Sequence, residues 1–292
     1  MHEVGVAKGE ITTWQPGLGM MGWGMLDNVA RTVATDLHAR AFVVRDPESQ
    51  TRLAIVCIEL CFVSLSLRER VCEILRTEHP ELELDLANVM ITATHTHSGP
   101  GGYSHYPFYN VTIPGFAPAV LEGLATKIAR VIVRADAARV PATLRWAEEA
   151  FAPDVEVGFN RAVTSYNRNP EVEALAPEQD HLAIDRTMRL LRFDDARGRL
   201  LGSINWFGVH GTSVHSDNTA IHFDNKGYAA QQTEQELAAA GSRAVAAFAQ
   251  GSTGDVTPNH WRHPGRPFVR GKLPDDDASA RHNGGLQAEL AR

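Results

Sequence analysis

Asn88-Val-Met-Ile-Thr-Ala-Thr-His-Thr-His-Ser-Gly-Pro-Gly-Gly-Tyr103 passes from an alternating apolar run into a Gly/Pro break within a few residues. Val89, Ile91, Ala93 and His95 recur at a period of two, so the spacing predicts a strand over 88–95 with these side chains on one face. His97 continues that face if the strand runs on. Two same-facing imidazoles at a strand end, beside flexible backbone, suit metal binding or proton transfer. The plain alternative is a pair of satisfied histidines in the core or at the surface.

Working outward, residues 39–45 and 53–60 predict two strands around a turn at 46–50. Ser66-Leu-Arg-Glu69 fits a capping box, opening a helix with Leu67, Val71 and Leu75 at helical spacing and ending near His79-Pro80. Val120, Leu121, Leu124, Ile128, Val131 and Ile132 predict a long amphipathic helix that ends before Pro141. Further strands are expected at 143–147, 189–193, 200–210 and 245–250, and a helix at 228–240 stopped by Gly241. Residues from about 160 to 179 read as irregular, and those from 260 to about 283 as loop. The last residues, 286–292, have helical composition. No internal repeat is visible. Strands and helices alternate, some strands being joined by tight turns, which predicts an α/β fold with a mixed β-sheet and flanking helices.

The 292 residues are 43% hydrophobic, enough for a sizeable core. A net charge of -7 and a pI near 6.0 give no electrostatic reason to expect nucleic acid, and argue against charge-driven binding to anionic membranes. The three cysteines, Cys57, Cys61 and Cys72, lie in one short apolar stretch and read as buried thiols; a Cys57/Cys61 metal pair is the less favoured reading. The first residues lack the basic start and apolar core of a signal peptide, so the chain as written is expected in the cytoplasm. No apolar run has transmembrane length.

Eight of the 13 histidines fall in three groups, each after an expected strand: His95, His97 and His105; His210, His215 and His222; His260 and His263. In α/β folds sites gather at the carboxyl ends of strands, so three such loops can converge. His210 ends an apolar face made by Ile204, Trp206 and Gly208, as His95 does, which leaves ligand and structural readings both open. His215, His222, His260 and His263 read as solvated. Asp224 reads as a helix-start or loop-bracing residue. Gly251-Ser-Thr-Gly-Asp-Val-Thr-Pro-Asn259 follows an apolar run; with Thr257 and Asp255 it is a nucleophile loop, an oxyanion loop or a plain turn. Arg161 is either a surface residue or a side chain that orients a substrate carbonyl or hydroxyl.

Taken in order, these pieces resemble the neutral/alkaline ceramidase family, zinc-dependent amidases that split ceramide into sphingosine and fatty acid. The matching segments are Gly19-Met-Met-Gly22, Arg40-Ala-Phe-Val43, Ala93-Thr-His-Thr-His-Ser-Gly-Pro-Gly-Gly-Tyr103 with Ser104-His-Tyr106, Asn160-Arg161, Val209-His210 with Thr212-Ser213, Asp224-Asn-Lys-Gly-Tyr-Ala229, and Phe248-Ala-Gln250 with Gly254-Asp-Val-Thr-Pro-Asn259. The resemblance implies that His95 and His210 are zinc ligands. It implies that His97 is a second histidine beside the metal, that Arg161 is the active-site arginine, and that Thr257 stands where the family has its catalytic serine. Threonine keeps the hydroxyl but adds a methyl and stiffens χ1. The family completes its zinc site with a glutamate and a tyrosine from farther along, and no segment here matches them. Residues 1–292 are therefore expected to be a single catalytic α/β domain cut short at its C-terminal end, weak in metal binding and inactive alone.

The reaction implied is zinc-dependent hydrolysis of a lipid-like N-acyl amide, most simply ceramide, with peripheral membrane contact for substrate access. Two alternatives stand beside it: a metal-dependent amidase acting on another N-acyl amine or ester, and a non-catalytic binding module. Family members are often secreted, which sets the resemblance against the cytoplasmic expectation.

Overall fold

The computed structural model describes residues Met1–Arg292. Eight strands form one mixed sheet: β1 (His2–Glu10), β2 (His38–Arg45), β3 (Arg52–Ile58), β4 (Val89–Ala93), β5 (Val140–Ala150), β6 (Thr187–Asp195), β7 (Leu200–Phe207) and β8 (Val245–Gln250). Their spatial order is β8-β7-β6-β5-β1-β2-β3-β4. Only β3–β4 and β7–β8 are parallel; the other neighbours are antiparallel. Parallel neighbours need a crossover, and helices supply both: α1 (Leu65–Glu78) between β3 and β4, and α4 (Asp224–Ala239) between β7 and β8. The remaining helices are α2 (Pro118–Ala137), a single turn α3 (Val163–Tyr166) and α5 (Asp276–Leu290).

The mixed α/β sheet with flanking helices expected from the sequence is what forms. The two halves repeat one order of elements, three strands, helix, strand, helix. No residue repeat announces this, because each position needs only an apolar face of the right period. The sheet folds over on itself. Val4, Phe42, Ile55 and Cys57 of the first half pack against Ala142, Phe193, Ile204, Val245, Ala247 and Ala249 of the second. The stacked rings of Phe42 and Phe193, 5.4 Å apart, lie at this contact. On one outer face α1 and α2 bury Leu67, Val71, Leu75, Leu124, Ile128 and Ile132 against the sheet. On the other, Ala229 and Ala230 of α4 cover Phe207, Ala246 and Phe248. The alternation along β8 shows why: odd-numbered residues face the second layer and even-numbered ones face α4.

Folding over brings the edge strands β4 and β8 together, although they lie at opposite ends of the strand order. Gln250, the last residue of β8, seals the junction. Its Nε2 donates to the carbonyls of Thr94 and Val209, and its Oε1 accepts from the Val209 N–H. The loops after β4, β7 and β8 thus open at one place.

Several elements depart from the sequence reading. β1 went unread, and it is the strand that joins the two halves. The cap of α1 is Ser64, whose Oγ accepts from Leu67 N at 3.1 Å, two residues ahead of the capping box expected at Ser66. β4 stops at Ala93 and β7 at Phe207, so His95 and His210 lie beyond their strands. The end of the segment expected as loop, from 276 to about 283, belongs to α5, which is capped by Asp275 through the Ala278 N–H and runs on into the residues expected to be helical from 286.

Candidate metal centre

His95 leaves the strand with φ of +68°, a left-handed conformation that side chains other than glycine adopt rarely. The two-residue strand period therefore does not explain its direction. Its backbone N–H donates to Leu60 O at 2.9 Å, and the His97 N–H donates to Gly211 O at 3.0 Å. These bonds tie the loop after β4 to the loops after β3 and β7. Gly211 has to be glycine, since a Cβ there would lie 2.4 Å from the His95 carbonyl oxygen.

The result is a cluster of three imidazoles. Ring centroids are 4.6 Å apart for His95–His97, 4.6 Å for His95–His210 and 5.5 Å for His97–His210. His95 Nδ1 donates to the carbonyl of Cys61 at 2.6 Å, and His210 Nδ1 donates to the carbonyl of Val256 at 2.9 Å. In a neutral ring this leaves each Nε2 with a free lone pair. A carbonyl that holds one imidazole nitrogen while the other is open is the usual outer bond of a metal-ligating histidine.

His97 is different. Its Nε2 lies 3.2 Å from His95 Nε2, and its Nδ1 is buried with no partner. His95 Nε2 can only accept, so His97 Nε2–H is the donor and the orphaned Nδ1 carries a bare lone pair. Burial holds His97 well below the ordinary imidazole range, and the charges of His95, His210 and Arg161 push the same way. Burial likewise pulls His210 down to about 4, with Arg161 and His95 adding to it, and lowers His95. All three rings are neutral near pH 7, the state in which imidazole binds a metal or takes a proton.

Cys61 also borders the cluster, and together with His95 and His97 it forms a group of potential ligand atoms within 4.8 Å of one another. Its sulfur is 3.8 Å from His95 Nδ1, the nitrogen already bonded to the Cys61 carbonyl. Burial pushes its thiol up to about 12, so it is a poor thiolate ligand at neutral pH. The donor set that suits a divalent metal is the Nε2 lone pairs of His95 and His210, the first of them facing His97 Nε2–H.

The loop after β8 supplies the other side. Val256 and Thr257 pair antiparallel with Asn160 and Phe159, and Arg161 N donates to Asp255 O at 2.8 Å. Asn160 Nδ2 holds the Asp255 carboxylate at 2.9 Å. Thr257 Oγ1 accepts from Asn259 N at 3.1 Å, which leaves its own proton free to donate. Arg161 and Thr257 share a cleft of about 470 Å³ with Trp23, Phe159, Thr212, His215 and Asn259 among others. Trp23 joins cleft and cluster, its ring standing edge-on to His97 at 5.4 Å. A somewhat larger cleft of about 530 Å³, beside the ends of α4 and α5, contains none of these residues.

The structure thus brings together His95, His97 and His210, and sets Arg161 and Thr257 in the adjoining cleft. His105 packs on Phe116 and takes no part in the cluster. His215 and His222, expected in solvent, are buried. His215 lies between Trp23 and Phe268, and His222 lies against Asp277. α5 covers His222 through Asp277 and ties the His215 N–H through Asp276, while Trp23 and Phe268 enclose the His215 ring. His260 is exposed, stacked on Phe159, and His263 bonds to Gly271 O. Asp224 braces its loop, as expected, by accepting from the Ser213, Val214 and Asn225 N–H groups at a φ of +58°. Residue-by-residue reading missed Trp23 and the carbonyl partners of the imidazoles. The available signal for Trp23 was its flanking glycines: a Cβ on Gly22 would lie 2.4 Å from the His97 ring.

The family model for "Neutral/alkaline non-lysosomal ceramidase, N-terminal" matches residues 2–265. The chain belongs to this ceramidase family. It is 36% identical over 268 residues to the neutral ceramidase of Pseudomonas aeruginosa, covering 91% of this chain and 38% of that protein. It is 35% identical over 262 residues to the neutral ceramidase of Drosophila pseudoobscura pseudoobscura, covering 88% and 36%. The crystal structure of neutral ceramidase from Pseudomonas aeruginosa superposes with a TM-score of 0.88 at 35% identity, covering 99% of this chain and 44% of that one. This ceramidase-family chain therefore spans about two-fifths of the length of these relatives.

Proposed function

We propose that this chain carries the catalytic centre of a zinc-dependent hydrolase of N-acyl amides, acting on ceramide to release sphingosine and a fatty acid. The observation that carries the reading is the matched pair His95 and His210. Each has Nδ1 held by a backbone carbonyl, which leaves the Nε2 lone pair as the ligand atom, and the two ring centroids lie 4.6 Å apart. The names of the relatives, neutral ceramidases, supply the substrate class.

When bound between these imidazoles, zinc supplies Lewis acidity for the amide carbonyl and for water. The chain's own residues do the rest. His97, neutral through burial, adjoins this pair through Nε2 and holds a proton there that it passes toward the departing amine. The Arg161 guanidinium donates to the carbonyl oxygen as it gains charge. The Thr257 hydroxyl, fixed by Asn259 N–H, donates to or positions the neighbouring substrate hydroxyl. Water adds to the acyl carbon, the C–N bond breaks, and the amine leaves protonated.

A second reading is favoured by one observation, the threonine at 257 where the family has serine. Its added methyl narrows the cleft beside Arg161, which suits an N-acyl amine or ester with a slimmer headgroup. Peripheral membrane contact is also part of the proposal. The segment after the histidine loop exposes Phe108 and Val111, at 83% and 70%, with Tyr106 and Tyr109 beside them. Aromatic side chains of this kind suit a lipid–water boundary. No helix is long and apolar enough to cross a membrane.

The test is zinc content, and zinc-supplemented hydrolysis by a form of the protein that spans the relatives' whole length, of short- and long-chain N-acyl sphingosines and of simple N-acyl amines. His95→Ala and His210→Ala are expected to lose both bound zinc and hydrolysis. Retention of zinc and rate in both variants contradicts the assignment. Faster turnover of simple N-acyl amines than of ceramide selects the second reading.

A further inference from the structure

α5 lies beyond the residues that the family model matches, yet its side chains reach both histidine loops. One path starts at Asp277. Its Oδ1 accepts from His222 Nε2 at 2.9 Å. The Asp224 N–H donates to His222 Nδ1 at 2.9 Å, so the ring proton is fixed on Nε2, pointing at the carboxylate. The His222 backbone then grips the first loop: its carbonyl accepts from Thr96 Oγ1 at 2.6 Å, and its N–H donates to Ser98 O at 2.9 Å. Thr96 and Ser98 flank His97.

The other path starts at Gln287. Its Nε2 donates to Asn225 Oδ1 at 3.4 Å and to Asn283 Oδ1 at 2.9 Å. Asn225 Nδ2 in turn donates to the His210 carbonyl at 2.9 Å and to Ser213 Oγ at 3.1 Å. One helix thus holds the loop of His95 and His97 through His222, and the loop of His210 through Asn225.

We propose that α5 sets the separation of the two histidine loops, with Asp277 a positioning residue of the metal centre that acts through His222. The proposal rests on the reading of the cluster as a metal centre. His222 is a buried ring with a single acceptor for its Nε2 proton. Without the carboxylate that N–H loses its one protein acceptor, so the ring turns or shifts. The backbone that grips Thr96 and Ser98 moves with it. Outer partners of metal-ligating histidines typically tune affinity tenfold or more, and Asp277 acts from one layer farther out.

Asp277 is half-exposed and also accepts from the Tyr228 hydroxyl, so thermal stability is read beside the site. The experiment compares Asp277→Ala, Asp277→Asn and Glu289→Ala, the last on the exposed face of α5. Zinc affinity is read by competition with a chromophoric chelator. The ring nitrogen NMR signals of His95 and His97 are read in the metal-free protein. Asp277→Ala is expected to weaken zinc about tenfold and to move the ring signals. Asp277→Asn, which keeps an acceptor for His222, is expected to restore affinity to within about threefold of wild type. Glu289→Ala is expected to change neither. Wild-type affinity and unmoved ring signals in Asp277→Ala overturn the proposal, as does a loss of thermal stability with ring signals unmoved. A wild-type chain that takes up no zinc overturns the functional reading instead. The ring signals then decide the tether alone, a shift supporting it and no shift overturning it.

Discussion

At the scale of single residues, His210 links stability to pH in a direction that can be worked out. An unfolded imidazole titrates near 6.5, whereas in the folded chain burial, aided by Arg161 and His95, brings His210 down to about 4. Between those values the unfolded chain binds a proton that the folded chain does not, so stability rises with pH across this window. The metal-free protein is therefore expected to lose stability as the pH falls from about 6.5 toward about 4. His97 is shifted the same way and adds to the slope. Urea denaturation at a series of pH values checks this. His210→Gln is expected to flatten the dependence by close to one proton, and an unchanged slope in that variant contradicts the account.

Among single residues, the histidines were legible because imidazoles beside Gly/Pro breaks are chemically conspicuous. Their geometry was not. A left-handed φ at His95 and the carbonyls of Cys61 and Val256 are backbone features that residue identity does not encode locally. His215 and His222 look like solvated loop histidines until Trp23 and Phe268 are placed around the first and α5 over the second.

At the scale of elements, α1 shows how a cap serves the site. The buried Ser64 Oγ accepts from Leu67 N and donates to the Tyr103 carbonyl at 3.0 Å, while Ser66 Oγ reaches the same carbonyl at 2.8 Å. Tyr103 ends the histidine loop, so one hydroxyl ties helix start to site. Ser64→Ala is expected to cost about 1–2 kcal/mol, through a lost cap and a weakened buried carbonyl bond. Chemical denaturation measures it, and a change within about 0.3 kcal/mol contradicts the role.

Strands 39–45, 189–193 and 245–250, and the amphipathic helix that became α2, were legible because apolar period dominates them. α5 was legible only in its last residues, from 286, since Gly284 and Gly285 interrupt its pattern and glycine disfavours helix. The structure supplies the reason for Gly284. A Cβ there would lie 2.4 Å from Asn225 O and 2.8 Å from the Tyr228 Cβ. The close α4–α5 approach that carries Gln287 to Asn225 depends on that missing side chain. β1 was missed because its alternation is weak, with glycines at 5 and 9 against α2 and its C-terminal end.

At the scale of the whole molecule, function arises from a sheet that folds until its opposite edges meet. The loop after β4 brings His95 and His97. The loop after β7 brings His210, and the loop after β8 brings Val256 and Thr257. The mixed α/β class followed from alternating element types, but the fold-over did not. It depends on long-range packing between the halves, such as Phe42 on Phe193 and Cys57 Sγ on the Phe248 carbonyl. Convergence of the three loops was therefore an inference from fold logic in the sequence, and becomes a set of distances in the structure.

On the proposed reading these loops converge on one metal held by His95 and His210. Anomalous diffraction at the zinc edge, from crystals of the chain grown with zinc, tests it most directly. One strong peak is expected, about 2.0–2.1 Å from Nε2 of both His95 and His210. A peak bonded to Cys61 Sγ on the Nδ1 side of His95, or no peak at the cluster, would contradict it.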